Sequence, residues 1–316
     1  RIPGGSRVLV VTNMYPPHHY GGYELSCRDC VARWRAWGHD VAVLTTTMRV
    51  PGVVTSASEP CVHRVLRFYF RDGDLYAPAV PVRLAWEWAN QRALRRVLRS
   101  FRPEVVSIWH MGAMSTGLLT TLVRSGLPLV YVVCDDWPVY ATSLDGWARL
   151  FPAHPVFARF APVFDRVAGV PCGPSGDLGR TGRFLFVSEV VRRRVAAGTG
   201  WTFPDAEVVH SGIDTGDFPL PAAVPPPRPW TWRLLVVGRL DPRKGIETAI
   251  RALALLPRTA TLSVVGDGPP AYRTRLESAV RALGLDGRVS FGVVPRSRLR
   301  EVYAGADALV FPSEWE

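Results

Sequence analysis

Short apolar runs that alternate with helical segments are the feature that most constrains the fold of this chain. The first run, Val8-Leu9-Val10-Val11, contains no polar side chain, as expected of a strand that a parallel sheet buries on both faces. A helical segment follows from about Tyr23 and ends at Gly38, where a glycine suits a helix C-terminus. Residues 41–44 form the second apolar run. Strand, helix and strand in this order make a βαβ unit.

The alternation continues on both sides of a proline-rich segment. Six of the eleven residues at 219–229 are proline, which neither pairs within a central strand nor continues a helix. Further apolar strands are predicted at residues 104–108, 129–133, 184–187 and 207–209, and after the prolines at residues 234–237, 262–265, 288–291 and 308–311. We therefore predict an α/β protein with two Rossmann-like domains, residues 1–218 and 231–316, joined by a linker at 219–230.

The second predicted domain ends on a strand at residues 308–311, with only five residues after it. A parallel sheet needs helices on both faces, so such an end leaves one face uncovered. We expect the second domain to be incomplete at its C-terminus and the chain as given to be a fragment.

The composition of the chain indicates which kinds of partner the protein binds and in which cellular compartment it is found. The chain has 38 Lys+Arg against 27 Asp+Glu, a net charge of +11, which suits anionic partners. No aromatic and basic module supports nucleic-acid binding, so we predict no nucleic-acid partner.

No apolar run is long enough for a membrane span, and no signal peptide is visible. Five scattered cysteines indicate a reducing compartment, so the predicted location is the cytoplasm.

The loop that opens the second domain has the chemistry of a diphosphate site. Open α/β sheets bind ligands beyond the carboxyl ends of their strands, and residues 238–245 follow the strand at 234–237. Gly238 permits a tight turn, Arg239 offers a planar fork of donors, and Lys244 offers a compact charge beside a helix N-terminus.

Four segments of the second domain resemble, in order, the characteristic motifs of the family 4 glycosyltransferases: residues 238–245, 265–269, 288–292 and 306–316. The first domain shows similar matches at residues 15–22, 38–41, 186–189 and 210–214. The resemblance implies the GT-B fold, in which two Rossmann-like domains face each other across a cleft. It also implies that residues 1–218 form the acceptor-side domain and residues 231–316 the nucleotide-sugar donor domain. It also implies retaining transfer of a sugar from a nucleoside-diphosphate-sugar donor, usually without a metal ion. The acceptor class implied is a cell-envelope glycan, a lipid or a small metabolite.

The resemblance also assigns roles to residues. Arg239 and Lys244 would neutralise the leaving diphosphate, and His110 would contact the sugar near its hydroxyls. Glu316 resembles the first glutamate of the family's E-x7-E element, although some members carry a doubled glutamate there, which leaves the next position open as well. The second glutamate lies beyond Glu316, so we expect the chain as given to be inactive. Donor-binding positions are assigned to glycines and to backbone groups that approach the phosphates and the base: Gly21, Gly22, Gly238, Gly266, Val293 and Val294.

Two other functions stay open on the same scaffold. A sugar-nucleotide epimerase or a phosphorylase would share the two domains, because fold does not determine reaction. A nicotinamide-dependent oxidoreductase is suggested by G-x-G-x-x-A at residues 266–271. That motif requires an acidic residue at the end of the next strand, where this chain has Gly292 and Val293 instead.

A basic amphipathic segment leaves peripheral contact with an anionic membrane open. Residues 86–102 place apolar side chains at helical spacing and arginines on the remaining face. Such a helix either lies on anionic lipid or packs its apolar side on the sheet, and we favour packing. On the first alternative, the protein would be peripheral at the inner face of the membrane.

Overall fold

The computed structural model describes residues 5–54, 61–71, 74–174, 176–216, 218 and 229–314. It divides into two compact units, Arg1–Ser211 and Gly212–Glu316. The predicted linker at 219–230 falls almost entirely outside the described residues, so its conformation stays a prediction.

The first unit is built on a parallel sheet of seven strands in the order β3-β2-β1-β6-β7-β8-β9. A short antiparallel hairpin, β4 with β5, stands outside this sheet. The strands in chain order are β1 (Arg7–Val11), β2 (Asp40–Thr46), β3 (Val62–Leu66), β4 (Phe70–Arg71), β5 (Asp74–Leu75), β6 (Val105–Ile108), β7 (Leu129–Val133), β8 (Arg183–Phe186) and β9 (Ala206–Val208).

Both faces of the large sheet are covered, which explains the uninterrupted apolar run in β1. Leu9 and Val11 pack in one hydrophobic cluster, whereas Val8 and Val10 pack in another on the opposite face. The covering helices are α1 (Gly22–Ala36), α2 (Val80–Phe101), α3 (Gly117–Arg124), α4 (Trp137–Leu144), α5 (Leu150–Ala153), α6 (Pro155–Arg166) and α7 (Glu189–Thr199).

Helix α2 contains the basic amphipathic segment, and its apolar side is buried. Leu94 and Val97 lie in the main core cluster of the first unit, while Arg96 and Arg99 are exposed. The interpretation of this segment as an ordinary packed helix is therefore confirmed. Among the described helices, none combines the length and the hydrophobicity needed to cross a bilayer.

The second unit has a parallel sheet of four strands in the order β12-β11-β10-β13. Its own core is formed by apolar side chains of the sheet and of α8 and α9, among them Ile250, Leu262 and Leu276. The strands are β10 (Arg233–Val237), β11 (Thr261–Val265), β12 (Val289–Gly292) and β13 (Ala308–Leu309), and the helices are α8 (Ile246–Leu253), α9 (Pro270–Ala282) and α10 (Leu299–Gly305). The two parallel sheets confirm the predicted α/β fold of Rossmann-like halves.

The last strand of the second unit is shorter than the sequence prediction. Strand β13 covers two residues rather than the predicted 308–311, although the Val310 amide still donates to the Leu235 carbonyl at 2.7 Å.

Candidate active-site loops

In the first unit, three neighbouring strands end in polar residues that meet. Strand β6 lies between β1 and β7, and all three run parallel. Asn13 follows β1, His110 follows β6 and Asp135 follows β7. The predicted sugar-contacting residue His110 therefore lies at the carboxyl edge of the sheet, where open α/β sheets bind ligands.

Hydrogen bonds hold both ring nitrogens of His110. The Asn13 amide nitrogen lies 2.5 Å from Nδ1, so we assign Nδ1 as the acceptor. Nε2 then carries the hydrogen and faces the Tyr140 hydroxyl at 2.8 Å. That hydroxyl donates in turn to Asp135 at 2.7 Å. We call Asn13, His110, Asp135 and Tyr140 the histidine cluster.

The carboxyl group of Asp135 supplies a negative charge to this cluster. Burial acts to raise its pKa, but the hydrogen bonds from His110 and Tyr140 outweigh burial and leave the pKa below its usual value. Asp135 is therefore ionised at neutral pH. Its side chain is 32% exposed, against 17% for His110, so the carboxylate is the more accessible of the two groups.

The neighbouring residue Cys134 lies between β7 and Asp135. Burial and the adjacent charge of Asp135 raise the pKa of its thiol to about 12. The side chain is therefore a neutral thiol at neutral pH, neither a nucleophile nor an anion for substrate.

Close packing explains the glycine at position 112. A Cβ atom there would lie 2.9 Å from His110 Cε1 and 3.1 Å from Tyr140 Cε2. Only glycine lets the chain pass beside the two rings without displacing them.

Gly21 and Gly22 lie at the N-terminus of α1, as their predicted role requires. The Gly21 amide donates to the Glu24 carboxylate at 3.0 Å, so a side chain of the helix already satisfies this donor. Apart from its own helix and chain neighbours, no atom of the described residues lies within 4 Å of a Cβ built on Gly22, so there is space for a ligand beside this residue.

In the second unit, the loops after β10 and β11 pack directly against each other. The Leu240 amide donates to the Asp267 carbonyl at 2.8 Å, and the Gly238 amide donates to the Val265 carbonyl at 3.0 Å. Gly266 has φ +158°, and a Cβ there would lie 1.8 Å from the Gly238 carbonyl oxygen. Gly266 is therefore needed to bring these two loops together.

The loop after β10 concentrates positive charge. Asp241 accepts hydrogen bonds from both Arg239 and Arg243, each at 2.7 Å. Bonds from Arg243 lower the pKa of Asp241 far below its usual value, against the opposing effect of burial and with help from Arg239. Lys244 has no carboxylate partner among the described residues, and its ammonium lies 5.7 Å from the Phe311 ring centroid. The loop therefore carries three cations and one carboxylate, and two of the cations pair with that carboxylate.

The remaining predicted donor residues lie at the same edge or outside the described residues. Val293 and Val294 follow β12, and Val293 is 63% exposed. Neither backbone amide donates a hydrogen bond within the part of the chain that the structure describes. Glu316 lies outside the described residues, so its role stays a prediction.

The sequence interpretation missed three members of the histidine cluster. Asn13 and Asp135 each follow a predicted strand, which was an available signal. Only the strand order places them beside His110, because β1 and β7 are the two neighbours of β6. Tyr140 comes from α4, for which no helix was predicted.

Comparisons with known proteins agree on the class of enzyme. Residues 20–217 match the family model described as Glycosyltransferase Family 4, and residues 227–316 match the model described as Glycosyl transferases group 1. An uncharacterised glycosyltransferase of Methanocaldococcus jannaschii is 37% identical, covering 98% of this chain and 75% of the relative. A GDP-mannose-dependent alpha-(1-6)-phosphatidylinositol monomannoside mannosyltransferase of Mycobacterium tuberculosis is 28% identical, covering 97% of this chain and 72% of the relative.

Solved structures show the same fold at lower identity. Sucrose-phosphate synthase from Thermosynechococcus elongatus matches with a TM-score of 0.62 and 17% identity, covering 98% of this chain and 76% of that protein. Anabaena HepE in complex with UDP-glucose matches with a TM-score of 0.60 and 16% identity, covering 98% of this chain and 74% of that protein. The chain therefore belongs to Glycosyltransferase Family 4, and it is a glycosyltransferase with the GT-B fold.

Proposed function

We propose that this glycosyltransferase moves a sugar from a nucleoside-diphosphate-sugar donor to an acceptor hydroxyl with retention of anomeric configuration. The acceptor oxygen bonds to the anomeric carbon while the bond from that carbon to the diphosphate oxygen breaks, and the hydroxyl proton passes to the departing diphosphate. Negative charge builds up on the departing diphosphate during this transfer, so the site needs cations or hydrogen-bond donors that stabilise it. The observation that carries the proposal is the cationic loop at residues 238–245.

Arg239 and Lys244 take the role that a divalent metal has in other transferases. Arg239 pairs with Asp241 in the present structure, and a diphosphate offers its guanidinium a stronger bidentate partner. Lys244, without a carboxylate among the described residues, adds a point charge. We therefore propose that the reaction proceeds without a metal ion.

Donor contacts are proposed for backbone groups in both units. Gly238 and Gly266 form the paired loops beside the diphosphate, and the free amides of Val293 and Val294 suit hydrogen bonds to the base. In the first unit, the open backbone at Gly22 suits a phosphate oxygen. Other members of the fold bind such donors: Anabaena HepE was solved with UDP-glucose.

The histidine cluster is assigned to the transferred sugar. The partly exposed carboxylate of Asp135 accepts hydrogen bonds from sugar hydroxyls, while His110 fixes the position of that carboxylate and of Tyr140. Burial and a full set of hydrogen bonds give His110 a fixed orientation, which favours contact over proton transfer.

Substitution of the two cations tests the proposal. In a catalytically active form of the enzyme that extends past residue 316, Arg239→Ala and Lys244→Ala should each lower kcat/KM for acceptor-dependent release of nucleoside diphosphate by roughly 10²-fold, because the charge of the departing group loses a partner. Arg258→Ala removes an exposed arginine from the loop before β11 and serves as the control. A chelator should leave the rate unchanged, and the product's anomeric proton should show retention by NMR. Normal turnover in both variants would remove the diphosphate role from this loop.

Membrane contact is proposed for α6 rather than for α2. Four apolar side chains at spacings of 4, 3 and 4 residues, Val156, Phe160, Val163 and Val167, are 51–82% exposed. The opposite side of α6 packs on the core through Phe157 and Phe164. Arg159 and Arg166 are exposed on the same element, and its one acid, Asp165, is paired with Arg124 at 2.6 Å. An exposed apolar stripe with net positive charge suits an anionic bilayer surface.

A further inference from the structure

A cavity of about 550 Å³ lies in the first unit, and its walls follow strands β2 and β3. This volume is in the range of sites for small molecules. None of the residues assigned above to the donor lines it. Three arginines, Arg49, Arg67 and Arg71, stand on its walls together with aromatic side chains.

The aromatic wall is made of rings that contact one another. Tyr76 lies 6.0 Å from Trp86 and Tyr20 lies 6.4 Å from Phe70, measured between ring centroids. Such rings present flat apolar faces, which suit the C–H face of a sugar or polyol ring better than an extended peptide. The wall therefore favours a compact cyclic ligand.

The arginines give the cavity a positive charge that no carboxylate of the described residues neutralises. Among the described residues, no carboxylate pairs with Arg49, Arg67 or Arg71. The guanidinium of Arg71 instead lies 4.6 Å from the centroid of the Tyr76 ring. Guanidinium groups without carboxylate partners are ready to form bidentate hydrogen bonds to a phosphate.

Backbone hydrogen bonds hold the walls in place without a ligand. The Thr47 amide donates to the Leu66 carbonyl at 2.8 Å, and the Val50 amide donates to His18 Nδ1 at 3.2 Å. On the other wall, the Tyr69 amide donates to the Ala113 carbonyl at 2.9 Å. A preformed site loses less entropy when a ligand binds.

The cavity is linked to the histidine cluster through one residue. The Thr46 hydroxyl donates to the Asn13 carbonyl at 2.5 Å, and the Asn13 side chain contacts His110. Thr46 ends β2 and directly precedes the cavity wall at Thr47. Both sites therefore lie at the carboxyl edge of the same sheet.

We infer that this cavity binds the acceptor, and that the acceptor is a saccharide or polyol carrying a phosphate group. The phosphate pairs with the arginines, and the ring lies against the aromatic wall. This inference rests on the transferase function proposed above. The same chemistry is found in a free sugar phosphate and in a phosphoinositide head group of a lipid, and the experiment separates these sources.

Calorimetric titration of the full chain tests the inference. One arm compares the binding of glucose 6-phosphate with that of glucose. The other arm compares phosphatidylcholine vesicles that contain phosphatidylinositol with vesicles that contain the same fraction of phosphatidylserine. We expect at least about tenfold tighter binding of the phosphorylated ring in one arm. Binding in the first arm identifies a free acceptor, and binding only in the second identifies a lipid-borne one.

Variants locate the binding. Arg67→Gln and Arg71→Gln should each weaken it about tenfold, whereas Arg96→Gln, an exposed arginine on α2, should not. All three side chains are exposed, so the fold should persist, which thermal melts check. Three results would each overturn the inference. The first is equal binding of glucose and glucose 6-phosphate together with equal binding of the two kinds of vesicle. The second is wild-type affinity in both cavity variants, and the third is loss of binding in Arg239→Ala instead.

UDP and GDP are titrated into the same samples. Failure of both nucleotides to bind counts against the proposed transferase function, whereas failure of the cavity ligands alone counts only against the acceptor inference. The two failures are therefore distinguishable.

Discussion

Two buried carboxyl groups share the core of the first unit beside the cavity wall. Glu87 accepts a hydrogen bond from Tyr69 at 2.7 Å and another from Ser115, and Asp145 accepts two from Thr116. Burial raises the pKa of Glu87 to about 8, and the negative charge of Asp145 acts in the same direction. Glu87 therefore keeps its proton at neutral pH in the folded protein.

This pKa predicts how stability depends on pH. An unfolded glutamate loses its proton near pH 4.3, so from there to pH 8 the folded state holds a proton that the unfolded state has lost. The free energy of unfolding should fall by about 1.4 kcal/mol per pH unit over that window. Glu87→Gln should remove most of this slope and raise the melting temperature at pH 8, whereas Asp40→Asn, at an exposed site on β2, should leave the slope unchanged. A wild-type profile flat from pH 5 to 8 would contradict the assignment.

Single residues differed in how far the sequence predicted them. Arg239 and Lys244 lie in one continuous loop after a predicted strand, so local sequence was enough to group them. Glu87 was assigned only to an amphipathic segment. Its burial follows from a hydrogen-bond partner, Tyr69, eighteen positions earlier in the chain. The burial of side chains that depend on such distant partners could not be predicted from the local sequence pattern.

At the scale of elements, the paired loops after β10 and β11 depend on Gly266. Gly266→Ala would place a Cβ against the Gly238 carbonyl at a positive φ, so we expect a loss of about 2–4 kcal/mol of stability in the second unit. Gly292→Ala is the matched control, because no atom lies within 4 Å of its Cβ position. Chemical denaturation measures both. Equal stability of the two variants would show that the loops can separate without cost.

The apolar stripe of α6 gives a second prediction at this scale. Phe160→Asp with Val163→Asp should reduce sedimentation with vesicles of about 30 mol% phosphatidylserine by at least roughly tenfold, because two apolar side chains no longer enter the interface. Val190→Asp on α7 substitutes another exposed valine and should have no effect. Vesicle binding that survives the double substitution would place any membrane contact elsewhere.

Secondary-structure elements, like single residues, were predicted where local sequence was enough and missed where distant contacts determine them. Ten strands were predicted because each is an apolar run within a parallel sheet. Strand β3 was not predicted, since it pairs only with β2 at the sheet edge and carries His63 and Arg64. The hairpin of β4 and β5 and helices α4 to α6 were missed as well. The hairpin strands, α4 and α5 are at most eight residues long and give little periodicity. Helix α6 has an apolar spacing typical of a helix, which the sequence analysis overlooked.

For the whole molecule, each unit has a hydrophobic core of its own, and each presents chemistry at the carboxyl edge of its sheet. The first unit has the histidine cluster and the arginine cavity. The second has the cationic loop. Eleven excess positive charges overall favour anionic ligands, and the structure shows where part of that charge is concentrated.

The most direct test is calorimetric titration of the chain with UDP-, GDP- and ADP-linked sugars. We predict that at least one donor binds with one-to-one stoichiometry. Arg239→Ala with Lys244→Ala should weaken that binding by at least about thirtyfold, because two charge-assisted contacts to the diphosphate are lost, while Arg258→Ala should leave it unchanged. Binding that is equally tight in the double variant, or no binding of any of the three donor classes, would contradict the account.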